Sequence, residues 1–364
     1  MAENMVSYAK KYFGLDYDRK PLNEVDSLIL CQVVYYNYAG SLFDGTEFQM
    51  KLCDYLKEDR ETLREWEMAL NEDEELIRLL KMGGRHGDIR GCHYMAVKDE
   101  DAEKQFGALT FELKEGLYYI AFRGTDNSVT GWKEDLNLSY QDVIPAQKDA
   151  LEYAMRVMDQ FDGKFYIGGH SKGGNLAVYT AMNLPEEMQD RLIAVYNHDG
   201  PGFASHVYES DKYKRIRPLL HKTIPESSVV GLLWEKDDNY KVVKSKTVGL
   251  WQHITYTWLL DENEIDELIE LDDVDYFAKH MQKTLERWIN ELDAEERKRF
   301  IDTVFDAISK TEVERFQELG VEKLKKMKLL IEGIAEMPAE ERKHVAHAIK
   351  LLFKISAEEM RDMD

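Results

Sequence analysis

The chain has 364 residues, of which 44% are hydrophobic and 11% are aromatic. This composition can bury a sizeable core and excludes an intrinsically disordered chain. There are 70 acidic and 48 basic residues, which give a formal net charge of -22. Because so acidic a chain is repelled by nucleic-acid phosphates, we expect no nucleic-acid partner.

The cysteines and the N-terminal segment indicate the compartment. Cys31, Cys53 and Cys92 have neither zinc-site nor disulfide-framework spacing, and we expect them to be small buried hydrophobes in a reducing compartment. The first residues lack the apolar core of a signal peptide. No segment approaches the ~20 apolar residues that span a bilayer. These features predict a cytoplasmic protein without a transmembrane segment.

Hydrophobic periodicity predicts helices in residues 1 to about 90, where Gly83 and Gly84 end the last helix. Strands are then predicted at 93–97, 106–113 and 117–122. The next predicted elements, in chain order, are a helix at 145–161, a strand at 165–167, a helix at 175–182 and strands at 192–196, 222–224 and 240–244. Because strands alternate with helices, residues 1–260 are predicted to form an α/β domain with a mainly parallel central sheet flanked by helices.

From about residue 261 the pattern predicts only helices. Residues 261–275 hold nine carboxylates and no lysine or arginine, as expected for a solvated linker and helix start. Asp293 and Glu296 have the spacing of a capping box. We expect residues 261–364 to form a helical C-terminal appendage. This region leaves open a homo-oligomer and, as an alternative function, a noncatalytic scaffold with a helical partner-binding surface.

The strongest motif is Gly-His-Ser-Lys-Gly at residues 169–173. It matches G-x-S-x-G, the nucleophile elbow in which a serine occupies a strained turn between a strand and a helix. An apolar strand is predicted before it and a helix after it, which is the context that the motif requires. Side chains at the glycine positions would collide with the neighbouring strand and helix. Ser171 is therefore the candidate nucleophile.

An acyl-transfer enzyme also needs donors for the oxyanion. The amide of Lys172, directly after the nucleophile, is the first candidate. The second donor normally follows an earlier strand of the sheet, and Thr125 follows the strand predicted at 117–122. Arg123 and Asp126 in the same segment could also form a simple structural pair.

The catalytic base is expected downstream of Ser171, in the order Ser, acid, His. His253 lies in a loop after the last predicted strand, which suits a base. His198 neighbours the acid candidate on an extended segment, so its side chain should point away from that candidate. The other downstream histidines are His206, His221, His280, His344 and His347.

For the acid, Asp199 ends the strand that follows the elbow helix, where a carboxylate can orient the imidazole. Asp199 could also be a turn-forming residue before a glycine. Glu226, Asp237 and Asp238 follow the next strand and remain competitors. We favour Asp199.

With these motifs in order, the chain resembles the class 3 lipase-like α/β-hydrolases. Within them it is most similar to an uncharacterised, mainly bacterial family related to a maize embryo lipase-like protein. The matching segments are residues 21–26, 122–126, 131–135, 169–175 and 199–203. The resemblance implies an α/β-hydrolase fold, a Ser-Asp-His triad and Thr125 at the oxyanion hole. In one departure, class 3 lipases usually carry the acid one strand later, where this chain has Glu226.

The motifs predict a serine hydrolase of the lipase or esterase type that needs no metal or organic cofactor. Its substrate would be a small acyl ester or a lipid-like molecule. An acyltransferase or a thioesterase could use the same triad. A peptidase is a further alternative, ranked lower because no peptide-binding feature is visible in the sequence.

Overall fold

The computed structural model describes residues 3–57, 70–125, 129–262, 265–309 and 338–363. Within these ranges, nine strands form one sheet in which each strand neighbours the next one in sequence. The strands are β1 (Met50–Lys51), β2 (Arg90–Asp99), β3 (Lys104–Lys114), β4 (Leu117–Phe122), β5 (Lys164–His170), β6 (Leu192–His198), β7 (Leu220–Pro225), β8 (Tyr240–Val243) and β9 (Glu270–Leu271). Strands β4 to β8 are parallel, whereas the pairs β1–β2, β3–β4 and β8–β9 are antiparallel.

Helices lie before, between and after the parallel strands. They are α1 (Met5–Lys11), α2 (Glu24–Val33), α3 (Leu52–Leu56), α4 (Leu70–Lys81), α5 (Gly84–Gly87), α6 (Val129–Asn137), α7 (Pro145–Gln160), α8 (Lys172–Asn183), α9 (Glu186–Gln189), α10 (Ser205–Tyr208), α11 (Asp211–Ile216), α12 (Tyr276–Glu291), α13 (Ala294–Ser309) and α14 (Ala339–Met363). Short 3-10 turns lie at Leu42–Asp44, Arg217–Leu219, Gly249–His253 and Thr255–Thr257. Helices α1 and α2 begin with capping boxes at Asn4 and Asn23, which satisfy their first amides.

Between residues 93 and 244 the predicted strands and helices all appear, with ends that shift by a few residues. Residues 1 to about 90 were predicted to be helical, but the short strand β1 also lies there, and residues 58–69 are outside the described residues. The prediction of helices alone after residue 261 was wrong, because β9 pairs with β8 inside the acidic segment. An isolated bridge between Leu260 and Leu268 precedes it. Strand β9 is only two residues long and lies in a segment rich in carboxylates, so the local sequence shows no strand pattern there.

The middle of the sheet is buried on both faces. In β5 and β6, all residues except Lys164 and Ile193 are buried, as expected for parallel strands covered by helices. Helix α8 packs against both strands. This mainly parallel sheet with flanking helices is the predicted α/β-hydrolase fold. The carboxyl ends of β5 and β6 therefore meet at one edge, where residues 171 and 199 follow them.

The described chain separates into two compact units. The first comprises Met1–Val97, Phe106–Gly124 and Ala146–Ala278, and holds most of the sheet. The second comprises Lys98–Gln105, Thr125–Pro145 and Lys279–Asp364. The sequence did not anticipate that residues 98–105 and 125–145 group with the C-terminal helices, since such contacts are not local. The predicted boundary at residues 260/261 stays a prediction.

In the second unit, α6 packs against α13, and Lys133 forms ion pairs with Glu103 and Asp302 at 2.6 and 2.9 Å. The predicted capping box at α13 is confirmed, because Asp293 and Glu296 exchange backbone-to-side-chain hydrogen bonds of 2.9 and 2.8 Å. A homo-oligomer through this region stays a prediction.

Two further predictions concern the chain as a whole. The three cysteines are buried free thiols, as expected. Among the residues described, none of the helices has both the length and the apolar character needed to cross a bilayer.

Candidate active site

Ser171 lies between β5 and α8 in a strained conformation. Its φ and ψ angles are 57° and -132°, a region that a non-glycine residue rarely adopts. Such strain costs on the order of 1–3 kcal/mol and persists only where the surrounding structure enforces it. The Ser171 amide donates to the carbonyl of His198 at 2.9 Å, which anchors the turn to the end of β6. Local geometry thus agrees with a nucleophile elbow.

The glycines around Ser171 are required by close packing. A Cβ on Gly169 would collide with the backbone of Gly173, and one on Gly173 would collide with the backbone of Phe122. This is the reason for small residues that the motif predicted. Helix α8 can therefore start directly against the strands, with Ser171 at its N-terminal end.

Lys172 is the first residue of α8 and is almost fully buried. Amides in the first turn of a helix have no carbonyl partner within that helix and carry partial positive charge. Further along the same turn, the Asn175 side chain donates to the carbonyls of Pro201 and Gly202 at 3.1 and 3.0 Å. These bonds tie the elbow helix to the loop after β6.

His253 and Asp199 form a hydrogen-bonded pair beside this turn. Asp199 follows β6 with a left-handed φ of 52°, and its amide donates to the carbonyl of Thr223 at 2.8 Å. Its Oδ2 lies 2.6 Å from Nδ1 of His253, at the end of the 3-10 turn Gly249–His253. The Asp199 side chain is 1% exposed and that of His253 is 22% exposed. The carboxylate is thus shielded while the imidazole reaches the surface.

The other carboxylate oxygen of Asp199 is held by the loop after β7. Oδ1 accepts from the Ser228 hydroxyl at 2.5 Å and from the Gly231 amide at 3.1 Å. The Gly231 carbonyl in turn accepts from the buried Lys222 ammonium at 2.8 Å, and Lys222 also pairs with Glu235. Sequence reasoning missed this support, because nothing in the sequence distinguishes Ser228 from other loop serines.

His170 links the elbow to the loop that carries His253. Its Nε2 donates to the His253 carbonyl at 2.8 Å, and the two rings lie 4.5 Å apart between centroids. Burial, together with the neighbouring His253, holds the pKa of His170 well below its ordinary value. Because the neutral His170 ring donates to the His253 carbonyl, it holds the loop of His253 against the residue that precedes Ser171.

The rejected base has a different role. His198 is fully buried with Nε2 2.8 Å from the Ser27 hydroxyl. Burial and the nearby His221 lower the pKa of His198 to about 3, so it stays neutral in the physiological range. His198 is therefore a buried, neutral packing residue at the end of β6.

The competing acids also lie elsewhere. Glu226 accepts weakly from the Gln252 amide group at 3.4 Å. Asp237 forms a bidentate ion pair with Arg217, and the Asp238 side chain is fully exposed. Of these four carboxylates, Asp199 is the one that the structure places in hydrogen-bond contact with His253.

The residue before Thr125 is Gly124, which packs against the elbow. A Cβ on Gly124 would come within 2.6 Å of the His170 carbonyl and 3.1 Å of the Ser171 Cβ. Thr125 follows it, and its hydroxyl donates to Asp135 Oδ2 at 2.6 Å. The oxyanion role of Thr125 stays a prediction.

Three solved structures that are distantly similar to this chain are lipases. A lipase–propeptide complex from Rhizomucor miehei has 19% identity and a TM-score of 0.34, covering 44% of this chain and 58% of that one. M37 lipase has 16% identity and a TM-score of 0.37, with coverages of 57% and 69%. A fungal lipase–inhibitor complex has 19% identity and a TM-score of 0.34, with coverages of 54% and 83%. None of these values supports transfer of activity.

Comparison with curated proteins finds no match. The family comparison is more informative, because the model of the Mbeg1-like family matches residues 81–306. This range contains the elbow, the Asp199–His253 pair and the loop that supports it. The bacterial distribution and the maize relationship expected from the sequence stay predictions. By this match, the chain belongs to the Mbeg1-like family.

Proposed function

We propose that this protein is a serine hydrolase that cleaves ester-type acyl bonds through an acyl-enzyme on Ser171. The observation that carries the proposal is a serine in the strained elbow conformation together with a buried Asp199 carboxylate that lies 2.6 Å from the imidazole of His253. His170, the residue before that serine, donates a hydrogen bond to the His253 carbonyl. A nucleophile, a base and an acid that orients the base are the three groups used in nucleophilic acyl transfer by serine hydrolases.

In the proposed reaction, the Ser171 Oγ attacks the acyl carbonyl while Nε2 of His253 takes its proton. Asp199 holds the opposite ring nitrogen, which selects the tautomer that accepts on Nε2. The amides of Lys172 and Thr125 stabilise the oxyanion. His253 then protonates the leaving alkoxide. Water, deprotonated by His253, releases the acid from Ser171.

A fluorophosphonate probe tests the proposal, because it reacts only with an activated serine. Ser171→Ala should abolish labelling and the hydrolysis of p-nitrophenyl butyrate. Ser205, exposed on α10, offers a matched control, and Ser205→Ala should keep both. Labelling that persists in folded Ser171→Ala would overturn the proposal, and an inert wild-type protein would favour the noncatalytic scaffold. An acyltransferase or thioesterase would label Ser171 but prefer another acceptor or thioester substrates.

A further inference from the structure

Three large apolar side chains project from the loop that carries His253. Val248, Leu250 and Trp251 are 78%, 64% and 69% exposed. Single exposed apolar residues are common on protein surfaces, but three within four residues form a patch of the kind that marks a binding surface. We call residues 248–251 the apolar loop.

The exposure of the apolar loop is built into the fold. The buried Gln252 accepts from the Ser227 amide at 2.8 Å and donates to the Thr247 carbonyl at 2.9 Å. The Trp258 indole donates to the Gln252 carbonyl at 2.8 Å. Because the inner side of the loop is fixed by these bonds, its outer side presents the apolar residues in a set position.

The charges around the loop indicate what covers it. Lys246, two residues before the apolar loop, pairs with Glu72 at 2.9 Å, and Lys244 is exposed. Two other lysines offer no exposed basic patch, because Lys172 is buried and Lys133 pairs with Glu103 and Asp302 within its own unit. The apolar loop itself has no charged side chain, and the chain has a net charge of -22, so the loop suits an uncharged or zwitterionic surface better than an anionic one.

The position of the apolar loop beside His253 also bears on what binds to it. Trp251 lies two residues before His253, on the same 3-10 turn. A protein partner or a second copy bound there would cover the approach to the imidazole, whereas a lipid surface would supply substrate to it. Tryptophan with neighbouring aliphatic residues is also the composition that inserts into the lipid–water boundary.

We propose that the apolar loop docks the enzyme on a zwitterionic lipid surface, so that the physiological substrates are acyl lipids presented at that surface. This inference deepens the proposed function and rests on it. It assigns Val248, Leu250 and Trp251 to lipid binding and keeps His253 at the boundary between lipid and water.

The test measures binding without turnover, by flotation of the Ser171→Ala protein with phosphatidylcholine vesicles. We expect this protein to float with the vesicles, and less well at low salt when phosphatidylglycerol is added. Val248→Ser/Leu250→Ser/Trp251→Ser should lower the partition coefficient at least ~10-fold. Met82, 63% exposed in the same unit, is the matched control, and Met82→Ser should float normally. Trp251→Ser alone should show an intermediate loss. Unchanged melting temperatures verify the fold of each variant.

Several outcomes overturn the inference. It fails if the Ser171→Ala protein does not float, or if the triple variant floats as well as its parent. It also fails if anionic vesicles bind better at low salt. A dimer in solution that the triple variant dissociates would assign the apolar loop to a second copy instead. Because none of these readouts needs hydrolysis, they are independent of whether Ser171 proves to be the nucleophile.

Discussion

Nδ1 of His253 lies 2.6 Å from Oδ2 of Asp199, whereas the resemblance to class 3 lipases had left open an acid one strand later. The carboxylate reaches the ring because Asp199 adopts a left-handed φ of 52° at the end of β6. Glu226, at the later position, contacts Gln252 instead.

Asp199→Asn should lower kcat by about 10³- to 10⁴-fold, because an amide in place of the carboxylate leaves the imidazole in the wrong tautomer. Glu226→Gln should change kcat by less than about tenfold. Steady-state hydrolysis of p-nitrophenyl butyrate measures both. The reverse ranking would make Asp199 a turn residue and Glu226 the acid.

Ser228→Ala should lower kcat by about 10-fold while KM stays near the wild-type value. The lost hydrogen bond to Oδ1 frees the Asp199 carboxylate to move, and a bond to a charged group is worth ~1.5–3 kcal/mol. The neighbouring Ser227 donates to Asp275 instead, so Ser227→Ala is the matched control. Equal losses in the two variants would indicate a general effect on the loop, and Ser228 would not be a positioning residue.

Activity should rise with pH, because the general base His253 must be deprotonated to accept the proton of Ser171. Burial lowers the pKa values of His170 and His198, to about 3 for His198, so neither of these two histidines accounts for the rise. His253→Ala should abolish activity and retain the circular dichroism spectrum. His221 stacks on Tyr196, and His221→Ala should stay active. An inactive His221→Ala with an active His253→Ala would reassign the base.

The sequence predicted the elbow well because its signals are local. A strand, two glycine positions and a helix leave little choice for residues 169–173. The supports of Asp199 were not predictable, since Ser228 and Gly231 meet it only through the order of β6 and β7 in the sheet. Edge strand β9 was missed for a related reason. Its pairing with β8 outweighs the local preference of a carboxylate-rich segment.

Asp26 is a second buried carboxylate, and its contacts stabilise the fold. Asp26 accepts from Arg85 at 2.6 and 2.7 Å, and its Oδ1 lies 2.7 Å from His86 Nε2. Burial raises the pKa of Asp26, but the bonds to Arg85 and His86 outweigh it and hold the pKa at about 2. Because this value lies below the ordinary ~3.9, the stabilisation is present above about pH 4 and is lost as pH falls through 2.

Asp26→Asn should therefore lower the free energy of unfolding by ~3–5 kcal/mol at pH 7, since it leaves Arg85 buried without its partner. Urea denaturation at pH 7 and pH 3 measures this, and the difference between the variant and the wild type should shrink at pH 3. Asp18→Asn, at a side chain that is 71% exposed, should have an effect below ~1 kcal/mol. A stability difference that grows in acid would contradict the assignment.

The proposed reaction requires a covalent acyl intermediate on Ser171, and acid-quenched mass spectrometry detects it directly. The protein is mixed with p-nitrophenyl butyrate, quenched within the first turnover and digested. We predict a butyryl group on the peptide that contains Ser171, absent from Ser171→Ala and decaying as butyrate appears. Hydrolysis with no acyl group on that peptide, or with the group on another residue, would contradict the account.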